Sequence, residues 1–176
     1  ACPMSMSPST PPRPKIWGVD AASLIVGLGL GFTLSLEVVS MRQSDIANFY
    51  AIVDTVSRFA ALIGSYFAIV GVMLVARIPW VEKGVGHDRL VIWHRKLGPW
   101  SMYLITFHVL FVVLGYAVND RAKLGVELWR MIQRYPWMLP AFIAFLFFIS
   151  AGITSYKKVR RNMTYETWWT IHLYTY

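Results

Sequence analysis

Four long apolar runs, separated by short polar or basic joints, set the plan of this chain. They extend from about Ile16 to Val39, Val56 to Ala76, Ile92 to Val118 and Pro136 to Tyr156. A predominantly apolar run of about twenty residues crosses a bilayer as a helix, so each run predicts one span. The third helix is expected to begin at Asp88, ahead of its apolar part. A fifth is expected from Thr164, a suitable N-cap, to Tyr176. That length rises only about 20 Å, so it reads as the start of a span rather than a whole one. Leu124, Leu128, Trp129 and Ile132, set against Lys123, Arg130 and Arg134, predict a short amphipathic helix lying at the interface within Asn119 to Tyr135. Ser40 to Thr55 reads as a polar connection and Val81 to Arg89 as a loop.

The expected fold is an all-α integral membrane bundle of four complete spans plus the start of a fifth. Residues 1–15, rich in Pro and Ser and without periodicity, predict a disordered cytoplasmic tail. Residues 16–176 form one transmembrane domain, expected to be incomplete at its C-terminus. The composition agrees: 56% of residues are hydrophobic and the mean hydropathy is +0.49, which excludes a soluble domain of this size. The net charge of +8 would suggest nucleic-acid binding in a soluble protein. Here the Lys and Arg residues collect in alternate joints, so the positive-inside rule accounts for them and places the N-terminus in the cytoplasm. Membrane lipid is the expected surrounding and no nucleic-acid partner is expected. Cys2 is the single cysteine, which excludes a disulfide framework or thiolate metal site within the chain.

The candidate chemistry lies in the histidines. His94 and His108 are fourteen residues apart, nearly four helical turns, which puts them on almost the same face and about 21 Å apart along the axis. Pro99 lies between them and can bend the helix. Ionisable side chains inside a membrane helix point to function; the structural alternative is hydrogen bonding to neighbouring helices. His94 lies six residues after Asp88 and His172 eight after Thr164, so both are about 9–12 Å into helices that run in the same direction. Two imidazoles at one depth on facing helices can bind one metal from opposite sides. A bare zinc ion would need further ligands, whereas a haem brings four nitrogens of its own and needs only axial ones. Trp93, Phe107, Phe111, Trp168 and Trp169 suit a porphyrin and equally suit lipid contact. His108 marks a second level, whose partner would fall beyond Tyr176. His87 reads as a solvated loop residue.

The stretches GHDRLVIWHRKLGPWSMYLITFH and RRNMTYETWWTIHLYTY resemble the ferric reductase–NADPH oxidase transmembrane superfamily, in particular its bacterial ferredoxin-reductase-like members. The resemblance covers roughly residues 16 to 176. It implies a piece of a six-helix di-haem bundle in the bacterial plasma membrane, with two b haems (heme b) stacked across the membrane between the third and fifth helices. His94 and His172 would hold the inner haem and His108 the outer one. Electrons would pass from NAD(P)H and FAD, in a cytosolic flavin and nicotinamide domain outside these residues, to an extracytoplasmic acceptor such as ferric iron or oxygen. The 176-residue piece is not expected to be active alone. Two further readings stay open: a separate haem b subunit exchanging electrons with quinone or a soluble flavoprotein, and a non-redox transporter or scaffold. The oligomeric state is not legible.

Two arginines attach to this picture. Arg95, with Lys96, flanks His94 and either pairs with inner haem propionates or serves as an inner-side anchor. Arg58 is the candidate catalytic residue at the outer end of the second span. It either binds an outer propionate or acceptor, or pairs structurally with Asp54 or Glu37. Oxygen-reducing members of the family carry an Arg in this region with a His one turn after the outer ligand. Here that second position is Val112, which argues against a dedicated superoxide-generating assignment.

Overall fold

The computed structural model describes residues 16–121 and 123–174, with side chains from Gly18 onward. The expectation of a disordered tail over 1–15 lies outside these residues, as does the expected helix end at Thr175 and Tyr176. The described residues are almost entirely helical and contain no strand. The helices are α1 (Ile16–Ser40), α2 (Phe49–Val75), α3 (Pro79–Val85), α4 (His87–Asn119), α5 (Leu124–Arg134), α6 (Met138–Ser155), α7 (Lys157–Arg160) and α8 (Tyr165–Leu173), with one 3-10 turn at Gln43–Ile46. Four of them, α1, α2, α4 and α6, are long and apolar enough to cross a membrane. Their large apolar side chains are broadly exposed, Leu28, Phe32, Ile69, Leu110 and Phe147 among them, as expected when lipid is the solvent. The chain is an integral membrane protein.

Two boundaries differ from the sequence expectation, each for a local reason. Helix α2 begins at Phe49, about two turns before the expected start at Val56, because the Asn48 side chain accepts the Ala51 backbone N–H at 2.9 Å and caps it. Phe49 to Thr55, mostly apolar, is therefore helical rather than part of a polar connection. The expected loop at Val81 to Arg89 is instead helical over most of its length: the short helix α3, started by Pro79, runs to Val85, and α4 begins at His87. Only Gly86 separates α3 from α4; its φ of +91° is a conformation that favours glycine. Helix α4 is unbroken through Pro99. The interfacial helix is present as α5, turning Glu127 and Met131 inward.

Packing is led by α2 and α4, which run alongside each other over most of their length. The buried face of α2 is made largely of small residues, Ser57, Ala60, Gly64 and Gly71, which let two backbones approach closely. A Cβ placed on Gly64 would lie 3.0 Å from Leu104 Cβ and 3.1 Å from the Ile105 nitrogen, so α4 occupies the space that any larger residue would need. Near the α3 end, Val70, Leu74, Val85 and Leu90 form a compact apolar cluster. Helix α6 packs on α4, and α8 packs along α6 rather than along α4.

Candidate functional site

Three polar side chains on α4, spaced seven residues apart, reach three backbone carbonyls on α2, also spaced seven apart. His94 Nδ1 lies 2.8 Å from Gly71 O, Ser101 Oγ donates to Gly64 O at 2.8 Å, and His108 Nδ1 lies 3.1 Å from Ser57 O. Seven residues make nearly two turns, so one face of each helix carries all three rungs, about 10 Å apart. Ser57 and Ser101 are fully buried. The lowest and highest rungs hold the two histidines that the sequence placed on one face.

The carbonyl partners decide the tautomer. A carbonyl only accepts, so His94 and His108 each carry a proton on Nδ1, which in the neutral ring leaves the Nε2 lone pair for another partner. This is the state of a metal-ligating imidazole held by an outer hydrogen bond. At His108 the contact is reciprocal: Ser57 Oγ lies 3.0 Å from Nδ1 and donates to the His108 carbonyl at 3.2 Å.

His172, on α8, meets His94. Their ring centroids are 6.1 Å apart and their planes cross at 87°. A metal–imidazole bond of about 2.0 Å on each side, added to the two ring radii, separates trans-ligating rings by about 6 Å. An edge-to-face aromatic pair has similar spacing; what distinguishes this pair is that both Nδ1 atoms are engaged by protein. His172 Nδ1 lies 3.1 Å from Ser155 Oγ, which also accepts the Trp168 indole N–H at 3.3 Å. Because α8 packs on α6 and not along α4, the two rings meet across the space between their helices. No cluster of three or more His, Cys, Asp or Glu suited to a metal occurs among the described residues. The donor set is thus two imidazoles, which fits a macrocycle-bound iron that needs only axial ligands and does not fit a bare ion.

Beside this pair a cavity of about 450 Å³ is lined by Arg95, Ser155, Lys157, Arg160 and Arg161. Its lining carries four cations and no carboxylate. The Arg160 guanidinium lies 4.0 Å from the centre of the Trp168 ring, and that ring stacks on His172 at 5.1 Å.

Arg58 lies next in sequence to Ser57 but is turned into a carboxylate cluster. Its Nε is 3.2 Å from Glu37 and 4.0 Å from Asp54, and its Nη2 is 3.3 Å from Asp45. Asp45, on the 3-10 turn, was not among the expected partners, since nothing in the sequence spacing of a turn residue points to a helix packed beside it. The Arg42 backbone N–H bonded to Asp45, followed by the Arg58 side chain, lowers its carboxyl below the ordinary aspartate value. His87 opens α4 with Nδ1 3.8 Å from Glu82, outside the histidine ladder. Ser57, Ser101 and Ser155 are the contributors that sequence reasoning missed. The heptad spacing shared by Ser57, Gly64 and Gly71 with His94, Ser101 and His108 was the available signal for the first two.

The family model described as ferric reductase like transmembrane component matches residues 60–176. That range takes in most of α2 and every described residue from α3 to α8, including all three bundle histidines. Neither a curated protein nor a solved structure matches the chain.

Proposed function

Because the chain belongs to the ferric reductase-like transmembrane component family, whose redox character supports electron transfer across a membrane, we propose that it carries electrons through two stacked b haems. His94 and His172 hold the inner haem, and His108 is one ligand of the outer one. The observation that carries this reading is the His94–His172 pair, 6.1 Å apart with both Nδ1 atoms occupied by protein groups. When bound, each haem iron supplies one-electron exchange between ferric and ferrous states.

The protein's own contribution is to fix, space and surround those sites. Gly71 and Ser57 carbonyls hold the His94 and His108 rings in the Nδ1–H tautomer and orient both toward one side of α4. The fourteen-residue separation sets the levels about 21 Å apart along the helix. Arg95, Lys157, Arg160 and Arg161 give the inner level a cationic rim for propionate carboxylates, replacing their hydration with charge-assisted hydrogen bonds. Arg58, with Glu37, Asp45 and Asp54, sets the charge at the opposite end, where the acceptor approaches.

In this scheme the basic joints face the cytoplasm of a bacterial cell and the N-terminus lies on that side. A flavin and nicotinamide domain outside these residues would supply the electrons from NAD(P)H. The acceptor is ferric iron or oxygen on the far side. An optical spectrum of the purified full-length protein, before and after dithionite, with a pyridine haemochrome count, tests the reading. Two low-spin b haems per chain support it, and absence of haem overturns it.

A further inference from the structure

Trp168 occupies a position that interface anchoring does not explain. Tryptophans at a membrane boundary normally offer their N–H to water or headgroups. Here the indole N–H is donated to Ser155 Oγ, the same oxygen that lies 3.1 Å from His172 Nδ1. The indole face stacks on the His172 ring with the planes 21° apart, and Arg160 covers the indole from 4.0 Å. Ser155 from α6 and Trp168 from α8 therefore meet one imidazole, and Arg160 from α7 covers that indole. Among the described residues, His94 by contrast is held by one carbonyl on α2. The two rings of the pair are held by different helices and by chemically different partners, and they stand at 87° to each other.

We propose that Ser155 and Trp168 are positioning residues for His172, keeping its ring perpendicular to that of His94 and setting its strength as an electron donor to iron. The proposal rests on the haem reading above. Its physical content has two parts. A hydrogen bond accepted from Nδ1–H makes an imidazole a stronger donor through its other nitrogen, which favours the ferric state and lowers the potential. Perpendicular imidazole planes on a low-spin ferric iron leave two d orbitals nearly equal in energy. This gives an electron paramagnetic resonance signal with an unusually large principal g value, whereas parallel planes give an ordinary rhombic signal. Stacking against Trp168, itself pinned by Ser155 and capped by Arg160, is what prevents the His172 ring from rotating toward the parallel arrangement.

The experiment uses the full-length haem-bearing protein and compares wild type with Ser155→Ala, Ser155→Thr and Trp168→Leu. Haem is counted by pyridine haemochrome, midpoints are read by potentiometric titration, and ferric signals by electron paramagnetic resonance. We expect Ser155→Ala to raise the midpoint of one haem and leave the other in place, while Ser155→Thr, which retains the hydroxyl, keeps both. Trp168→Leu should move the large-g signal toward a rhombic one. If Ser155→Ala releases one haem and Ser155→Thr retains it, the proposal is equally supported. Unchanged midpoints and signals in Ser155→Ala and Trp168→Leu with two haems bound would overturn it and leave the haem reading intact. A wild-type protein without haem would overturn both.

Discussion

Ser101 donates its hydroxyl to the carbonyl of Gly64 at 2.8 Å, midway between the two histidine rungs of α4. The bond is fully buried and joins the two helices that pack most extensively. It also keeps the levels of His94 and His108 in register with Gly71 and Ser57. Hydrogen bonds between membrane helices contribute about 0.6 kcal/mol on average and about 1.7 at most, because the separated helices find other partners. Ser101→Ala should therefore cost about 1 kcal/mol in detergent unfolding while leaving histidine ligation unchanged.

Gly64→Ala should cost more. The added methyl would press on Leu104 Cβ and the Ile105 backbone nitrogen, neither of which can move without moving α4. Overpacking of this kind costs about 1–3 kcal/mol. The variant should also weaken both histidine rungs, since separating the helices lengthens all three bonds together. A lower melting temperature accompanied by reduced haem content is the expected result; a normal melting temperature would show that α4 is not held against Gly64.

Arg58 faces three carboxylates, so its removal leaves Glu37, Asp45 and Asp54 without a common counter-charge. Arg58→Ala should lower stability, and added salt should recover part of the loss by screening the remaining repulsion. Arg58→Lys keeps the charge but not the fork that reaches Glu37 and Asp45 together, and should fall between. Reduction of an external acceptor by Arg58→Lys, measured at full haem occupancy, separates a part in acceptor binding from one in holding α1 to α2.

Asp45 gives a pH dependence of definite sign. Its carboxyl is lowered in the folded protein by the Arg42 N–H and then by Arg58. A depressed folded value means the stabilisation is fully present above the unfolded aspartate value of about 4 and is lost as pH falls through the folded one. Stability should thus decline on the acid side of about pH 4. Asp45→Asn should be less stable near neutrality and show a flatter acid limb; an acid limb identical to wild type would remove Asp45 from the account.

Much of this architecture was legible because lipid imposes a simple rule. Apolar runs of sufficient length become spans, and α1, α4 and α6 lie where the runs are. The start of α2 was not legible from hydropathy: Phe49 to Val53 is itself apolar, Asp54 and Thr55 interrupt the run, and the helix start is set by the Asn48 cap. Helix α3 was hidden for the same reason, its signal being Pro79 rather than a periodic face. His94, His108 and His172 stood out as rare ionisable residues in apolar surroundings. Ser57, Ser101 and Ser155 did not, because a serine in a membrane helix acquires meaning only when the opposing carbonyl or imidazole is known. Arg58 was ambiguous between Glu37 and Asp54; it reaches both, and Asp45 as well.

The central claim is that His94 and His172 serve one iron while His108 serves another. The most direct measurement is the haem content and redox spectrum of His94→Ala, His172→Ala and His108→Ala in the full-length protein. The account predicts that His94→Ala and His172→Ala each lose the same haem, recognised by a common missing midpoint, and that His108→Ala loses the other. Retention of both haems in His172→Ala, or loss of different haems in the first two variants, would contradict it.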